Sequence, residues 1–242
     1  MVYLEAQQIC SRCRSTNIVK NGTDYKGAQK FYCHDCGTYG TLNAGKYSAE
    51  RKGEIIRSYF ERASMRGVQR IFHVARQTLA RWLKQLANSL PKLPELLSAK
   101  LAEDILELDE LWSFVLKKDN KRWIWIALCR RTRQVVAYFI GDRSEASCRE
   151  LWKRIPEIYQ TCITFSDFWE AYEKVFTTGK HQSVGKESGQ TAHVERWNNT
   201  LRQRVGRLVR KTLSFSKSDD FHAAVLKIFL HFYNLEHLSV KT

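Results

Sequence analysis

The sequence predicts an α/β protein in three parts: a small cysteine-paired unit, a helical segment, and a larger α/β domain. Three observations carry this. Two close cysteine pairs occupy the first 36 residues, a helical period runs through residues 46–90, and three runs rich in β-branched and aromatic residues follow Pro91 and Pro94. At 242 residues the chain is long enough to bury at least one real hydrophobic core, so folding needs no disulfide scaffold.

Charge is placed unevenly. The total is +15, but residues 1–100 carry 17 basic and 7 acidic side chains, residues 101–190 carry 14 of each, and residues 191–242 carry 9 and 4. Basic flanks around a neutral middle are what a carboxylate site approached by a polyanion requires, because the flanks neutralise phosphate while the acids bind metal. Double-stranded DNA is the expected partner, and a membrane is not. The N-terminus has no basic region followed by an apolar stretch, and no run of 18 apolar residues occurs, so the expected location is cytoplasmic, with the nucleoid.

The first element, about residues 1–45, holds Cys10, Cys13, Cys33 and Cys36 in two CxxC pairs, with Asn21-Gly22 and Lys26-Gly27 as hairpin turns between them. This is the four-thiolate spacing of a structural Zn2+ site. A unit with so few apolar residues needs the metal to fold, a contribution of roughly 10 kcal/mol or more in zinc-finger peptides. Cys129, Cys148 and Cys162 lie among apolar neighbours and read as buried, reduced thiols.

The second element, residues 46–92, reads as three helices. Ile55, Ile56, Tyr59, Phe60 and Ala63 mark the first, Val68, Ile71 and Phe72 the second, and Leu79, Leu83 and Leu86 turn the third inward. The other face of the third helix shows Arg76, Gln77, Thr78, Arg81 and Lys84. The pattern is that of a helix-turn-helix whose last helix reads base edges in a major groove, set against an ordinary three-helix core with a solvated basic face.

The third element, residues 101–242, opens with ILELDELWSFV, RWIWIAL and VVAYFIGD, a three-stranded meander. A helix over SEASCRELWKRIPEIY, a strand in CITFSD, a helix over FWEAYEKVF and a long polar helix from about His193 to Lys211 come after it. Asp109 lies in the first strand and Asp167 ends the fourth. In neighbouring strands their carboxylates meet at one edge, and a helix packed beside them supplies Glu195. Hard divalent cations take oxygen ligands of this kind, and two of them suit phosphodiester chemistry. Taken singly, each acid reads as an ordinary surface carboxylate. Val194, Trp197, Leu201, Val205 and Leu208 form an apolar stripe that fixes the last helix, while Asn198, Asn199 and Arg202 share the polar face with Glu195. Arg204, Arg207, Arg210 and Lys211 suit phosphate neutralisation. Trp112 and Trp169 follow the two aspartates and read as core packing.

The runs LDELWSFVLKK, SDFWEAY and HVERWNNTLRQRVGRLVRKTLSFSKS, with the cysteine pairs and helices ahead of them, resemble the transposase of the insertion sequence 1 family over nearly the whole chain. The resemblance implies a ribonuclease H-like catalytic domain and a DDE triad on Asp109, Asp167 and Glu195, with Asp142, Glu110 and Glu187 as second choices. It also implies two Mg2+ (or Mn2+) ions, Asp109 bridging them and Asp167 and Glu195 holding one each, with Lys117, Lys118 and Arg202 neutralising phosphate. The implied activity is hydrolysis at the element's 3′ ends and joining of those ends to target DNA, by a dimer or larger assembly. The family's Glu-Arg-Asn core is broken here, since Trp197 stands in the asparagine place and leaves Asn198 and Asn199 as candidates for that role. A non-catalytic DNA-binding regulator and a ribonuclease H-like nuclease or resolvase are the rival readings.

Overall fold

The computed structural model of the chain describes residues 9–10, 12–25, 27–41, 47–177 and 180–238. The chain divides into two compact units, residues 1–54 and 55–242.

In the first unit, strands β1 (Ile18–Thr23), β2 (Gln29–Cys33) and β3 (Tyr39–Thr41) form an antiparallel sheet in that order. The turn expected at Asn21-Gly22 is not where the chain reverses. Both residues lie in β1, where the register shifts between Lys20 and Thr23 and Gly22 takes φ 69°, so the pair forms a bulge. The reversal comes next. Asp24 Oδ1 accepts the Ala28 N–H (2.8 Å) and the Asp24 carbonyl accepts that of Gly27 (3.0 Å). Lys26, of the second expected turn, lies outside the described residues.

Helices α1 (Ala49–Tyr59), α2 (Met65–Phe72) and α3 (Arg76–Ser89) come next in the chain, the division between the units falling within α1. Ser64 caps α2 by accepting the Gly67 N–H (2.9 Å), and His73 ends it in a left-handed conformation that turns Val74 inward. Leu79 and Leu83 are fully buried as the period predicts, with Trp82 beside them. Ile71 departs from expectation at 66 % exposure, because a two-turn helix against one neighbour buries only Val68.

The larger sheet has the order β6-β5-β4-β7-β8. Its strands are β4 (Ile105–Phe114), β5 (Lys121–Cys129), β6 (Val135–Gly141), β7 (Ile163–Ser166) and β8 (His181–Ser183). The first three form the expected antiparallel meander, and β4, β7 and β8 run parallel. Helix α4 (Glu145–Arg154) stops before Pro156, which starts the short α5 (Glu157–Gln160) and so divides the single helix expected there. Helices α6 (Glu170–Val175), α7 (Ala192–Arg204) and α8 (Asp219–Leu238) complete the unit. Leu106, Leu108, Trp125 and Ala127 pack against Cys148, Leu151 and Tyr172 of α4 and α6, whereas the alternate residues of β4 meet α7, so both faces of the sheet are covered.

Two elements go beyond the sequence reading. Strand β8 is three residues long and polar. Helix α8 buries eight of its 20 residues, among them Asn234, tied in a two-way hydrogen bond to the Val135 backbone (both 2.9 Å). Helix α7 ends at Arg204 and not, as its apolar stripe predicts, near Lys211. Val205 and Leu208 stay buried but outside the helix.

The cause is a set of contacts at the end of the helix. The Arg62 N–H donates to the Arg204 carbonyl (2.7 Å), Arg204 pairs with Glu61 and Glu236, and a Cβ on Gly206 would stand 2.9 Å from the Arg62 carbonyl oxygen. The end of α7 is thereby clamped to the turn between α1 and α2. Gly206→Ala should force that backbone apart at about 1–3 kcal/mol, lowering Tm by roughly 2–10 °C in a thermal melt. An unchanged Tm would show that the clamp carries no load.

Candidate active site

Alternation along β4 sends Glu107 and Asp109 to one face and Glu110 to the other. Glu107 is fully buried and accepts four hydrogen bonds. Two come from the His193 and Val194 N–H groups at the start of α7 (2.9 and 3.0 Å), one from His193 Nδ1 (2.6 Å) and one from Arg130 Nε (2.7 Å). A carboxylate at this position satisfies orphan N–H groups and opposes the positive end of the helix dipole. It therefore fixes α7 against β4, two residues from Asp109.

The parallel register of β4 and β7 pairs Ile105 with Ile163 and Glu107 with Phe165, and continuing it sets Asp109 opposite Asp167. Asn198 of α7 donates to Asp109 Oδ2 (2.6 Å), and Glu195 lies one turn earlier on that helix, its Oε1 accepting from Thr191 Oγ1 (3.0 Å). Asp109, Asp167 and Glu195 thus line one cleft of about 520 Å3, together with Asn198, Asn199, Arg202 and Arg210. Asn198 is buried and holds Asp109, while Asn199 is exposed. The helical spacing of Asn198, three residues after Glu195, was the signal for it.

The second-choice acids are occupied otherwise. Glu110 is pinned by Arg143 (2.5 Å) and by the Tyr172 hydroxyl (2.8 Å), with the Arg143 guanidinium held between the rings of Trp123 and Trp169 at 4.8 and 4.2 Å. Asp142 accepts from Ser144 and Ser147 and lines a different opening. Glu187 is exposed in a short 3-10 turn.

Burial pushes the Asp109 carboxyl up to about 7, and the neighbouring Glu110 and Asp167 charges add to this against the bonds from Glu110 N–H and Asn198. The donor set fits a hard divalent cation: oxygen only, directed to one opening, with a surplus of negative charge that a cation would offset. The three acids do not close into a tight cluster, since among the described residues the group of three or more metal-ligating atoms within 4.8 Å is the cysteine group.

Cations line the cleft in a different set from the one expected. Lys117 and Lys118 sit exposed on the turn after β4 and do not line it. Arg143 and Lys186 do, and no sequence period pointed to them. Arg202 spends its donors on the Leu208 and Trp112 carbonyls (2.8 and 3.0 Å). Arg207, expected to face phosphate, is 9 % exposed and bonded to Tyr59 and Ser216, because it lies beyond the end of α7. Arg210 and Lys211 are exposed, as are Arg76, Gln77, Arg81 and Lys84 on α3, with Thr78 half-buried.

In the first unit the ligand atoms of Cys10, Cys13, Cys33 and Cys36 all lie within 4.8 Å of one another. The Cys10–Cys36 and Cys13–Cys33 sulfurs are 3.6 Å apart, close to the edge of about 3.8 Å for a tetrahedron with metal–sulfur bonds of about 2.3 Å. Hydrogen bonding by Thr38, side chain and backbone, brings the Cys36 thiol down to about 6. The cluster is able to hold a metal ion.

The family model for IS1 transposase matches residues 104–237, spanning all three acids and every element from β4 to α8. The chain belongs to the IS1 transposase family. The insertion element iso-IS1n protein InsB of Shigella dysenteriae is 40% identical to it over 126 residues, 52% of this chain and 93% of that protein. The insertion element IS1 9 protein InsB of Escherichia coli K12 is 33% identical over 163 residues, 65% of this chain and 93% of its own. Membership of the IS1 family implies a transposase role, and the family-matched region holds the cleft but begins after the cysteine cluster and α1–α3.

The raised Asp109 carboxyl has a defined effect on stability. Its pKa in the folded state lies above that of an unfolded aspartate, so its contribution is present at low pH and is lost as pH rises from about 4 through about 7. Without divalent cations, Asp109→Asn should remove that slope and raise Tm at pH 8 by about 10 °C, on the order of 4 kcal/mol for a carboxyl moved from about 4 to about 7. Thermal melts across pH check this; a variant with the parent's slope would show that Asp109 carries no such penalty.

Proposed function

We propose that this IS1-family protein is a DNA transposase that binds the terminal inverted repeats of its element, hydrolyses the 3′ ends and joins them to target DNA. The observation that carries this reading is that Asp109 of β4, Asp167 just after the parallel strand β7 and Glu195 of α7 line one cleft, with α7 capped onto β4 by Glu107. The strand order β6-β5-β4-β7-β8, antiparallel then parallel, supports a ribonuclease H-like catalytic domain over residues 101–242.

In this reading Asp109, Asp167 and Glu195 hold two Mg2+ or Mn2+ ions. When bound, such ions acidify an attacking water and stabilise the leaving oxygen of a phosphodiester. The chain's own contribution is positioning. Asn198 orients Asp109 and Thr191 orients Glu195. Lys186 and Arg210 add positive charge at the cleft, where phosphate charge develops, while the charge of Arg143 is offset by Glu110.

The N-terminal parts are read as DNA-binding modules. Residues 1–45 form a structural Zn2+ unit on the four cysteines, and residues 46–92 a helix-turn-helix in which Arg76, Gln77, Thr78, Arg81 and Lys84 of α3 face the major groove. Joining requires two ends, so a dimer or larger assembly is proposed, acting on nucleoid DNA in the cytoplasm. No helix among the described residues is long and apolar enough to cross a membrane.

Magnesium-dependent incubation with supercoiled DNA carrying the terminal repeats tests the function. Joined products support transposition, nicks without joining indicate a nuclease or resolvase, and no product indicates a regulator. Asp167→Ala should abolish strand transfer while end binding persists, and transfer by that variant would sink the assignment. Zinc analysis should find about one ion per chain, falling to none in a Cys33→Ser, Cys36→Ser variant.

A further inference from the structure

A second opening of about 630 Å3 lies between α2, the start of α3 and the segment between α7 and α8. Arg66, Arg70 and Arg76 line it from the helices and Lys217 from the opposite wall, with Arg207 also lining it. No acidic side chain lines this groove, whereas the opening beside β6 carries four carboxylates. The four outer cations are exposed and make no ion pair among the described residues. Exposed cations concentrated around a concave surface without counter-charges attract a polyanion, and neutralising phosphates releases its counterions.

The walls are held at a fixed spacing. Arg207 donates twice to the Tyr59 hydroxyl (3.0 and 2.6 Å) and once to Ser216 Oγ (3.1 Å), and its guanidinium lies over the Phe221 ring at 4.6 Å. The buried arginine thus bridges the helical wall and the Lys217 wall. A groove rigid before binding loses less entropy when it is filled.

We propose that this groove binds the phosphate backbone of duplex DNA, the same duplex whose bases α3 faces. Arg66 and Arg70 grip it from the helices, and Lys217 grips it from the segment connected to the helix that carries Glu195. The inference rests on the α3 reading for the duplex involved, and on the groove's own charges for the phosphate contact. Its consequence is that DNA bound at α3 is also held by the catalytic part of the chain.

The test measures binding of the full chain to terminal-repeat and unrelated duplexes by fluorescence anisotropy over a salt series. Arg70→Ala and Lys217→Ala should each reduce the magnitude of the slope of log K against log salt by about 0.9 on both duplexes, and together by about 1.8. Per contact removed, the affinity lost between 50 and 200 mM salt should shrink by about 3.5-fold. Lys153→Ala, on the ion-paired surface of α4, should leave the slope unchanged. Lys217→Arg should keep the parent slope, which separates loss of charge from loss of fold. Slopes for Lys217→Ala and Arg70→Ala equal to that of Lys153→Ala would overturn the proposal. Gln77→Ala tests the other reading separately: it should lose preference for the terminal repeat with the slope retained. If the parent itself shows no such preference, the α3 reading fails, and the Lys217 slope still decides the groove.

Discussion

The larger unit depends on a buried carboxylate meeting a helix N-terminus. Removing an ionised acid from water costs several kcal/mol unless its lone pairs are satisfied. Glu107 meets that condition with four donors, two of them N–H groups that α7 would otherwise leave unpaired. This interaction fixes the position and direction of α7 on the central strand, and with it the candidate site. Asp109 lies two residues along the strand, Asn198 reaches it from the helix, and Glu195 opens onto the same cleft.

Strand β4 carries Glu107, Asp109 and Glu110 within four residues, and the fold gives each a separate environment. Glu107 has the helix, His193 and Arg130; Glu110 has Arg143 and Tyr172 on the opposite face. Asp109 has a single side-chain donor, Asn198, and burial with the nearby Glu110 charge raises its carboxyl; burial raises that of Glu110 as well. In the proposed reading Asp109 is the acid that receives a cation, which would offset this cost. A site that concentrates charge at the cost of stability is the familiar compromise of a functional centre.

The clamp at Gly206 joins the helical segment to this arrangement. Three contacts meet there: the Arg62–Arg204 backbone bond, the Arg204 ion pairs, and the Arg207–Tyr59 bonds. They explain why α7 stops at Arg204 although its apolar stripe continues to Leu208, since the buried positions beyond it are reached by a turn. They also account for Arg207, whose basic character reads as phosphate binding in the sequence and serves packing in the structure.

Sequence alone determined the elements whose patterns are local. The β-branched meander, the periods of α1 to α3, the cysteine spacing and the candidacy of Asp109, Asp167 and Glu195 come from residues near one another in the chain or from family motifs. Elements without a period stayed hidden. Strand β8 is short and polar, and α8 has apolar residues around most of its circumference, so neither shows a buried face to read. Tertiary structure decided which charges serve which purpose. Arg143 reaches the cleft from the end of β6, Lys117 and Lys118 turn away from it, and Arg207 goes inside, because a side chain's electrostatic role depends on distances across the fold that spacing along the chain does not encode.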